Sequence, residues 1–315
     1  MGNPYLSVVV PVLNEEDNVA ALSGQISAAL DATEYTYEKI FVDDGSKDST
    51  VDRLRELQHR DPHVRVVKLR RNFGQTPAMR AGIDHSHGEV VVTLDGDLQN
   101  DPADIPGMVR KLEDGYDLVV GWRKDRKDPF LSRKLPSKIA NWLIGKITRI
   151  PIKDNGCSLK VYKAKVIRNI PLYSEMHRFI PAMSSLAAVR LAEVPVNHKA
   201  RIHGESKYGI SRTGKVILDL ITIKMLIAFS QRPIQWFGLL SIPFFLASSL
   251  AGLIALYLVA YGDQNDQTVI FPSLCVLFGI IFAQFLANGL LAELIVKTGK
   301  THDFYALTRR RSSGS

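Results

Sequence analysis

Cysteine is scarce in this chain of 315 residues: there are two, Cys157 and Cys275, and they fall in different regions. Thiols so few and so far apart argue against a disulfide framework or a thiolate metal site and fit a reducing compartment. Neither Gly-x-Gly-x-x-Gly nor a complete Gly-x4-Gly-Lys-Ser/Thr loop occurs, which argues against a dinucleotide oxidoreductase or a P-loop ATPase. The N-terminus has no basic stretch leading into an apolar core and runs into an apolar strand at Leu6, so a cleaved secretory signal is not expected. From Ile234 to Ala292 there is no Lys, Arg or Glu, and the only acids are Asp263 and Asp266.

That last absence divides the chain. The mean hydropathy near zero averages a mixed-charge head, roughly residues 1 to 215, with an apolar tail. A net charge of +8 suits nucleic acid, anionic lipid or a phosphorylated substrate, because charge alone reports only the sign of a partner. Position discriminates. Basic residues gather between Arg123 and Arg149 and around the tail (Lys215, Lys224, Arg232, Lys297, Lys300, Arg309 to Arg311), where anionic headgroups would attract them. No nucleic-acid reading motif accompanies them, so nucleic acid is not an expected partner.

Ile234 to Tyr261 and Thr268 to Ala292 are uncharged runs of about 28 and 25 residues, each long enough to cross a hydrocarbon core of roughly 30 Å as a helix. The short polar Gly262 to Gln267 segment makes them a hairpin. Lys and Arg flank its outer ends, so the positive-inside rule places both termini and the head in the cytoplasm. Gly214 to Ser230 mixes apolar residues with Lys215, Asp219 and Lys224, as a helix lying in the membrane interface does, or one packed on the head. Glu293 is expected to reach the headgroup region. The domains expected are 1–213 catalytic, 214–232 juxtamembrane, 233–297 the hairpin and 298–315 a basic cytoplasmic tail. A hairpin this short gains by packing against copies of itself, so a homo-oligomer is possible.

In the head, β-branched runs at Ser7 to Val12, Glu38 to Val42, Val64 to Leu69, Glu89 to Leu94 and Asp117 to Gly121 alternate with helical stretches. That order predicts an α/β fold with a mostly parallel sheet, whose ligands bind beyond the carboxyl ends of the strands. Polar clusters follow four strands: Asn14-Glu15-Glu16, Asp43-Asp44-Gly45-Ser46-Lys47-Asp48, Arg70-Arg71-Asn72-Phe73-Gly74 and Asp95-Gly96-Asp97-Leu98-Gln99.

Two carboxylates bracketing a glycine at a strand end, Asp95 and Asp97, can face one hard cation that keeps positions open for phosphate oxygens. They can equally bond turn amides or cap the helix that starts at Asp101-Pro102. Asp43 and Asp44, expected on the neighbouring strand end, suit hydrogen bonds from a ribose or a base. The other reading of that stretch is a capping turn, with Ser46 or Asp48 ahead of a helix from Ser49 to Gln58.

Pro11-Val12-Leu13-Asn14-Glu15, Asp43-Asp44-Gly45-Ser46, Asp95-Gly96-Asp97-Leu98-Gln99 and a two-span tail together resemble the family 2 glycosyltransferases of the GT-A (Rossmann-like) fold. More closely the chain is similar to the polyprenyl-phosphate glycosyltransferases, the group of dolichol-phosphate mannose synthase and the bactoprenol glucosyltransferases. Three further stretches extend the resemblance: Arg71-Asn72-Phe73-Gly74-Gln75, Asp154-Asn155-Gly156-Cys157-Ser158-Leu159-Lys160 and Arg201-Ile202-His203-Gly204-Glu205-Ser206-Lys207-Tyr208.

The resemblance implies that Pro11, Leu13, Glu15 and Asp43, with Asp44, line a nucleotide pocket. It implies that Asp95 and Asp97 hold Mg2+ or Mn2+ against a diphosphate, with Gln99 beside them. Arg201, Ser206, Lys207 and Tyr208 would meet phosphate groups, and Gly204 and Ser206 give that loop the freedom to bring a cation over an anion. Arg123, Arg133, Lys134 and Lys138 would hold a lipid headgroup. Asp154 has three readings: a general base, a group that positions the acceptor or completes the metal surroundings, or a turn former ahead of a strand from Ser158 to Tyr162.

The expected reaction is an inverting hexose transfer from a nucleotide diphosphate sugar, UDP-glucose first, to a polyprenyl phosphate. One rival is a polysaccharide synthase, yet Gln231-Arg232-Pro233-Ile234-Gln235-Trp236 does not match the Gln-x-x-Arg-Trp spacing such enzymes carry. The other is a non-catalytic scaffold or lipid-binding module, which would not need Asp95, Asp97, Asp154 and Lys207 together.

Overall fold

The computed structural model describes residues 3–124, 152–170, 172, 180–181, 189–199, 233–261 and 267–298. The chain divides into two compact units, Met1–Leu220 and Ile221–Ser315. The expected juxtamembrane helix, Gly214 to Ser230, lies outside the described residues.

The first unit is an α/β domain built on a seven-stranded sheet. In chain order its elements are β1 (Leu6–Val12), α1 (Val19–Leu30), β2 (Tyr37–Asp43), α2 (Thr50–Arg60), β3 (Val64–Lys68), α3 (Gln75–Asp84) and β4 (Val90–Thr93). A 3-10 turn (Pro102–Asp104), α4 (Ile105–Glu113), β5 (Leu118–Trp122), β6 (Lys160–Lys163), the single-turn α5 (Ala164–Ile167) and β7 (Leu191–Pro195) follow. The strand order is β3-β2-β1-β4-β6-β5-β7. β3, β2, β1 and β4 pair in parallel, β6 runs antiparallel to both β4 and β5, and β5 pairs in parallel with β7. The sheet is therefore mixed, with β6 its reversed strand.

β1 and β2 are buried along their whole length, and so is β4. That is why β1 and β4 read as near-continuous apolar runs rather than alternating ones, while β2 buries Glu38, Lys39 and Asp43 by bonding each of them. Val8, Val10, Phe41, Val92, Val119 and Val161 face Leu22, Ile26, Met108 and Leu112 in one apolar cluster. Full burial of each such side chain contributes roughly 1.5–3 kcal/mol. Because β2 lies on one side of β1 and β4 on the other, the chain reverses its winding at β1 and opens a crevice at the carboxyl ends, where ligands bind in such sheets. The Asp43–Asp44 pair was expected on the strand next to Asp95, but β1 stands between them.

The second unit holds two long helices, α6 (Pro233–Tyr261) and α7 (Gln267–Thr298). Both are long and apolar enough to cross a membrane, with mean hydropathy 2.1 and 2.4. Their apolar surface is largely open: Leu253 is 66% and Ile280 61% exposed, the reverse of a soluble core helix. Phe244 stacks on Phe285 with centroids 5.4 Å apart, and the Ser248 hydroxyl donates to the Cys275 carbonyl at 2.8 Å. Glu293, expected to reach the headgroups, accepts the first-turn amide of Ile234 at 3.4 Å and pairs with Lys297 at 3.2 Å. A carboxylate there answers an orphan donor and the positive end of α6.

Candidate active site

At the carboxyl edge, the loop after β1 is tied to the loop after β2. The Asn14 amide donates to the Ser46 hydroxyl at 2.9 Å, and Asn14 Oδ1 accepts the Lys47 amide at 2.9 Å. Asn14 sits at φ 54, a left-handed conformation that asparagine tolerates better than most residues. Glu16 accepts the Ser49 amide at 3.0 Å, and the Glu15 amide donates to Thr50 at 2.8 Å. Glu15 itself accepts from Asn18 at 2.6 Å. Pro11 is buried and Leu13 half-buried in this edge.

Asp43 and Asp44 are both buried. Asp43 accepts the amides of Gly45 and Ser46, each at 3.2 Å. Asp44 Oδ1 accepts the Phe73 amide at 2.7 Å and Oδ2 the Gly74 amide at 2.9 Å. Both acids, expected at a nucleotide, thus bond backbone amides. The helix-start role falls to Asp48, whose Oδ1 accepts the Thr50 amide at 3.1 Å. Gly45, at φ 77, lets the two loops touch: a Cβ there would lie 2.6 Å from the backbone of Arg71 and Asn72.

β4 delivers Asp95 and Asp97. The Gln99 amide donates to Asp97 Oδ1 at 3.2 Å, and Gln75, the first residue of α3, donates through Nε2 to Asp95 Oδ1 at 2.6 Å. Burial, then the Asp97 carboxylate, pushes the Asp95 carboxyl well above its usual range, against the opposing pull of Ser158, Lys160 and Arg123. Two acids that resist being charged together are what a divalent cation relieves. Among the described residues no group of three or more His, Cys, Asp or Glu side chains gathers that could hold a metal. Leu98, buried next to Asp97, sits at φ 59, where a leucine costs on the order of 1 kcal/mol. Its place in the core offsets that strain at the site.

β5 and the segment before β6 add a second charged group. Arg123 grips Asp154 with two prongs, Nε to Oδ2 at 2.7 Å and Nη2 to Oδ1 at 2.9 Å, and both side chains are largely buried. Burial alone would lower the Arg123 guanidinium, yet the bonds to Asp154 leave it raised. A carboxylate held this way suits positioning better than proton abstraction. Glu193 on β7 fixes the turn by accepting the amides of Lys153 and Asp154 at 2.9 and 3.1 Å.

Lys160, the first residue of β6, is a buried lysine whose ammonium is pushed down to about 8 by burial, while Cys157, Asp95 and Asp154 pull it back up. Neither Lys160 nor Gln75 was singled out from the sequence, although both lie in stretches that carried the resemblance. For Lys160 the sequence offered only a basic residue in the stretch that begins at Asp154; its place opposite Thr93, two residues before Asp95, comes from the β4–β6 pairing.

The chain after β7 returns to the Asp97 loop. The Lys199 amide donates to the Gln99 carbonyl at 2.8 Å, its ammonium pairs with Asp101 at 2.7 Å, and Asn197 bonds Asp104 at 2.7 and 2.9 Å. Residue 199 is thereby brought beside the Asp97 loop two positions ahead of Arg201. Arg201, Ser206, Lys207 and Tyr208 lie outside the described residues, as do Arg133, Lys134 and Lys138.

Four strand ends and a pair of mutually repelling acids thus meet at one crevice. Residues 7–172 match the family described as Glycosyl transferase family 2. The chain belongs to that family. It is 45% identical over 302 residues to dodecaprenyl-phosphate galacturonate synthase of Rhizobium johnstonii, covering 93% of this chain and 88% of the relative. It is 40% identical over 293 residues to undecaprenyl-phosphate 4-deoxy-4-formamido-L-arabinose transferase of Edwardsiella ictaluri, covering 92% and 88%. Among solved structures, it resembles glucosyl-3-phosphoglycerate synthase from Mycobacterium tuberculosis in complex with Mn2+, UDP and glucosyl-3-phosphoglycerate. There the TM-score is 0.55 at 18% identity, over 70% of this chain and 79% of that one. At that identity the likeness speaks for the fold, a GT-A-like mixed sheet with helices.

Proposed function

We propose that this glycosyltransferase moves a sugar from a nucleotide diphosphate sugar onto a polyprenyl phosphate at the cytoplasmic face of a membrane, with inversion at the anomeric carbon. The observation that carries this reading is the 45% identity over 93% of the chain to a dodecaprenyl-phosphate galacturonate synthase. The relatives' names speak of galacturonate and a formamido-arabinose rather than glucose. UDP-galacturonate therefore replaces UDP-glucose as the first donor to test.

In this reading Pro11, Leu13, Glu15 and Asp43 flank the nucleotide, with Gln99 near the diphosphate. Asp95 and Asp97 hold Mg2+ or Mn2+, which when bound neutralises charge on the leaving diphosphate. A phosphate oxygen of the lipid forms the new bond to the anomeric carbon as the bond to the nucleoside diphosphate breaks, and no proton needs removal because the acceptor is already anionic. Arg123, oriented by Asp154, faces the acceptor phosphate, and Arg201, Ser206, Lys207 and Tyr208 bind phosphate oxygens. The hairpin spans the membrane with the head and both termini in the cytoplasm, the orientation that Lys297, Lys300 and Arg309 to Arg311 favour.

The test is transfer of label from UDP-galacturonate, UDP-glucose and UDP-4-deoxy-4-formamido-L-arabinose to undecaprenyl phosphate in detergent, with Mn2+, with Mg2+ and with EDTA. Metal-dependent labelled lipid from one donor is the expected result. Transfer that persists in EDTA overturns the metal role, and absence of product from every donor overturns the reading.

A further inference from the structure

The hydrogen bonds around Phe73, Gly74 and Gln75 run from the end of β2 to the end of β4. Asp44 accepts the Phe73 and Gly74 amides at 2.7 and 2.9 Å, one on each carboxylate oxygen. Gly74 precedes α3 at φ 102, a conformation that strains any other residue, and its carbonyl accepts the Ala78 amide at 3.2 Å as the helix begins. The next residue, Gln75, donates to Asp95 Oδ1 at 2.6 Å. An ionised carboxylate only accepts, so the group facing it must be the amide NH2.

We propose that Gln75 is a positioning residue that sets the orientation of the Asp95 carboxylate for the metal, and that Asp44 acts through it by fixing the Phe73–Gly74 turn rather than by touching the nucleotide. This rests on the proposed metal-binding role of Asp95 and Asp97. Asp95 lies beside another acid, and the Gln75 and Ser158 side chains bond it there against that repulsion; without the Gln75 bond the carboxylate turns away, at a cost in metal affinity. A neutral donor holds one oxygen in place without adding a positive charge that would repel the cation. Asp44 sits two strands away, with β1 between, so its influence on Asp95 runs through the turn rather than through contact.

The experiment measures Mn2+ binding to the full-length protein in detergent, from the paramagnetic signal of free Mn2+ at saturating UDP, alongside the donor KM at saturating Mn2+. Gln75→Leu keeps the bulk and removes the donor; Gln75→Asn, one methylene too short, serves if the leucine variant does not fold. The expected result is Mn2+ binding weaker by about tenfold with the donor KM changed less than twofold. Asp44→Asn, which keeps one acceptor and loses the other, weakens Mn2+ binding in the same direction. The double variant then binds no worse than Gln75→Leu alone. Unchanged Mn2+ affinity in Gln75→Leu overturns the inference, as do additive losses in the double variant. A raised donor KM with unchanged Mn2+ affinity in Asp44→Asn places that acid on the nucleotide instead. A wild-type protein that binds Mn2+ with UDP yet glycosylates no polyprenyl phosphate overturns the proposed function and leaves the Gln75 test standing.

Discussion

At the end of β2, Asp43 and Asp44 place their oxygens on four backbone amides, whereas at the end of β4, Asp95 and Asp97 bracket a glycine and push against each other. Both pairs are acids at a strand end, one on each side of β1. Environment separates them: the first has the backbone amides of two loops around it, while in the second Gln75, Ser158, Lys160 and Arg123 act on Asp95 against burial and the neighbouring Asp97. Acids answered by backbone amides are tied into the fold, while two acids that push against each other are the arrangement a divalent cation would relieve.

The comparison is broken most directly at Asp97. Asp97→Ala is expected to lower sugar transfer on the order of a thousandfold. Removing Asp97 relieves the repulsion on Asp95 but leaves the Gln99 amide without its acceptor, so the unfolding midpoint without metal should fall less than in Asp44→Ala; a drop as large in calorimetry would class this pair with the first.

The Arg123–Asp154 pair is an intermediate case, an acid answered by a buried cation. Asp154→Ala leaves that guanidinium uncompensated and should cost about 3 kcal/mol of stability in denaturant titration, besides activity. Were Asp154 a general base, Asp154→Asn would fold as the parent does and alter the pH profile of kcat instead. Asp44→Ala comes next. Two amides lose a charged acceptor, so a loss of about 2 kcal/mol is expected, where removal of a purely nucleotide-facing acid would leave stability unchanged.

Smallest is a control at the opposite end of the sheet. Glu38 accepts from Ser7 at 2.6 Å, from Arg65 at 2.7 Å and from the His87 amide at 2.7 Å. Burial alone would raise its carboxyl, but these bonds hold it below the usual range. Its contribution is therefore full above about pH 4.3, the unfolded value, and is lost as pH falls through the lower folded one. Glu38→Gln should flatten the acid limb of stability below that pH and leave sugar transfer intact; an unchanged limb would remove Glu38 from the set of satisfied acids.

Much of this was legible in the sequence. β1 and β4 announce themselves because strands buried on both faces are mostly apolar, and β2 does so through Ile40 to Val42. The two long helices of the second unit do so because an uncharged apolar run of that length is legible as it stands. The Asp95–Asp97 pair was visible from its place after a strand. The backbone bonds of Asp44 were not, since the Phe73 and Gly74 amides that it accepts lie about thirty residues on. Gln75 and Lys160 were hidden for the same reason, since one bonds Asp95 and the other acts on its charge only once α3 and β6 lie beside β4.

By itself the sequence determined the class of fold, the family, the apolar tail and which acids are available, because these follow from local periodicity, hydrophobic length and short motifs. Only the tertiary structure decided that β6 runs backwards, that β1 separates the two acidic pairs, and that one pair is answered by amides while the other repels itself. Those outcomes depend on which strand ends and loops become neighbours, and a carboxylate takes its charge and its partners from neighbours that the order of residues does not name.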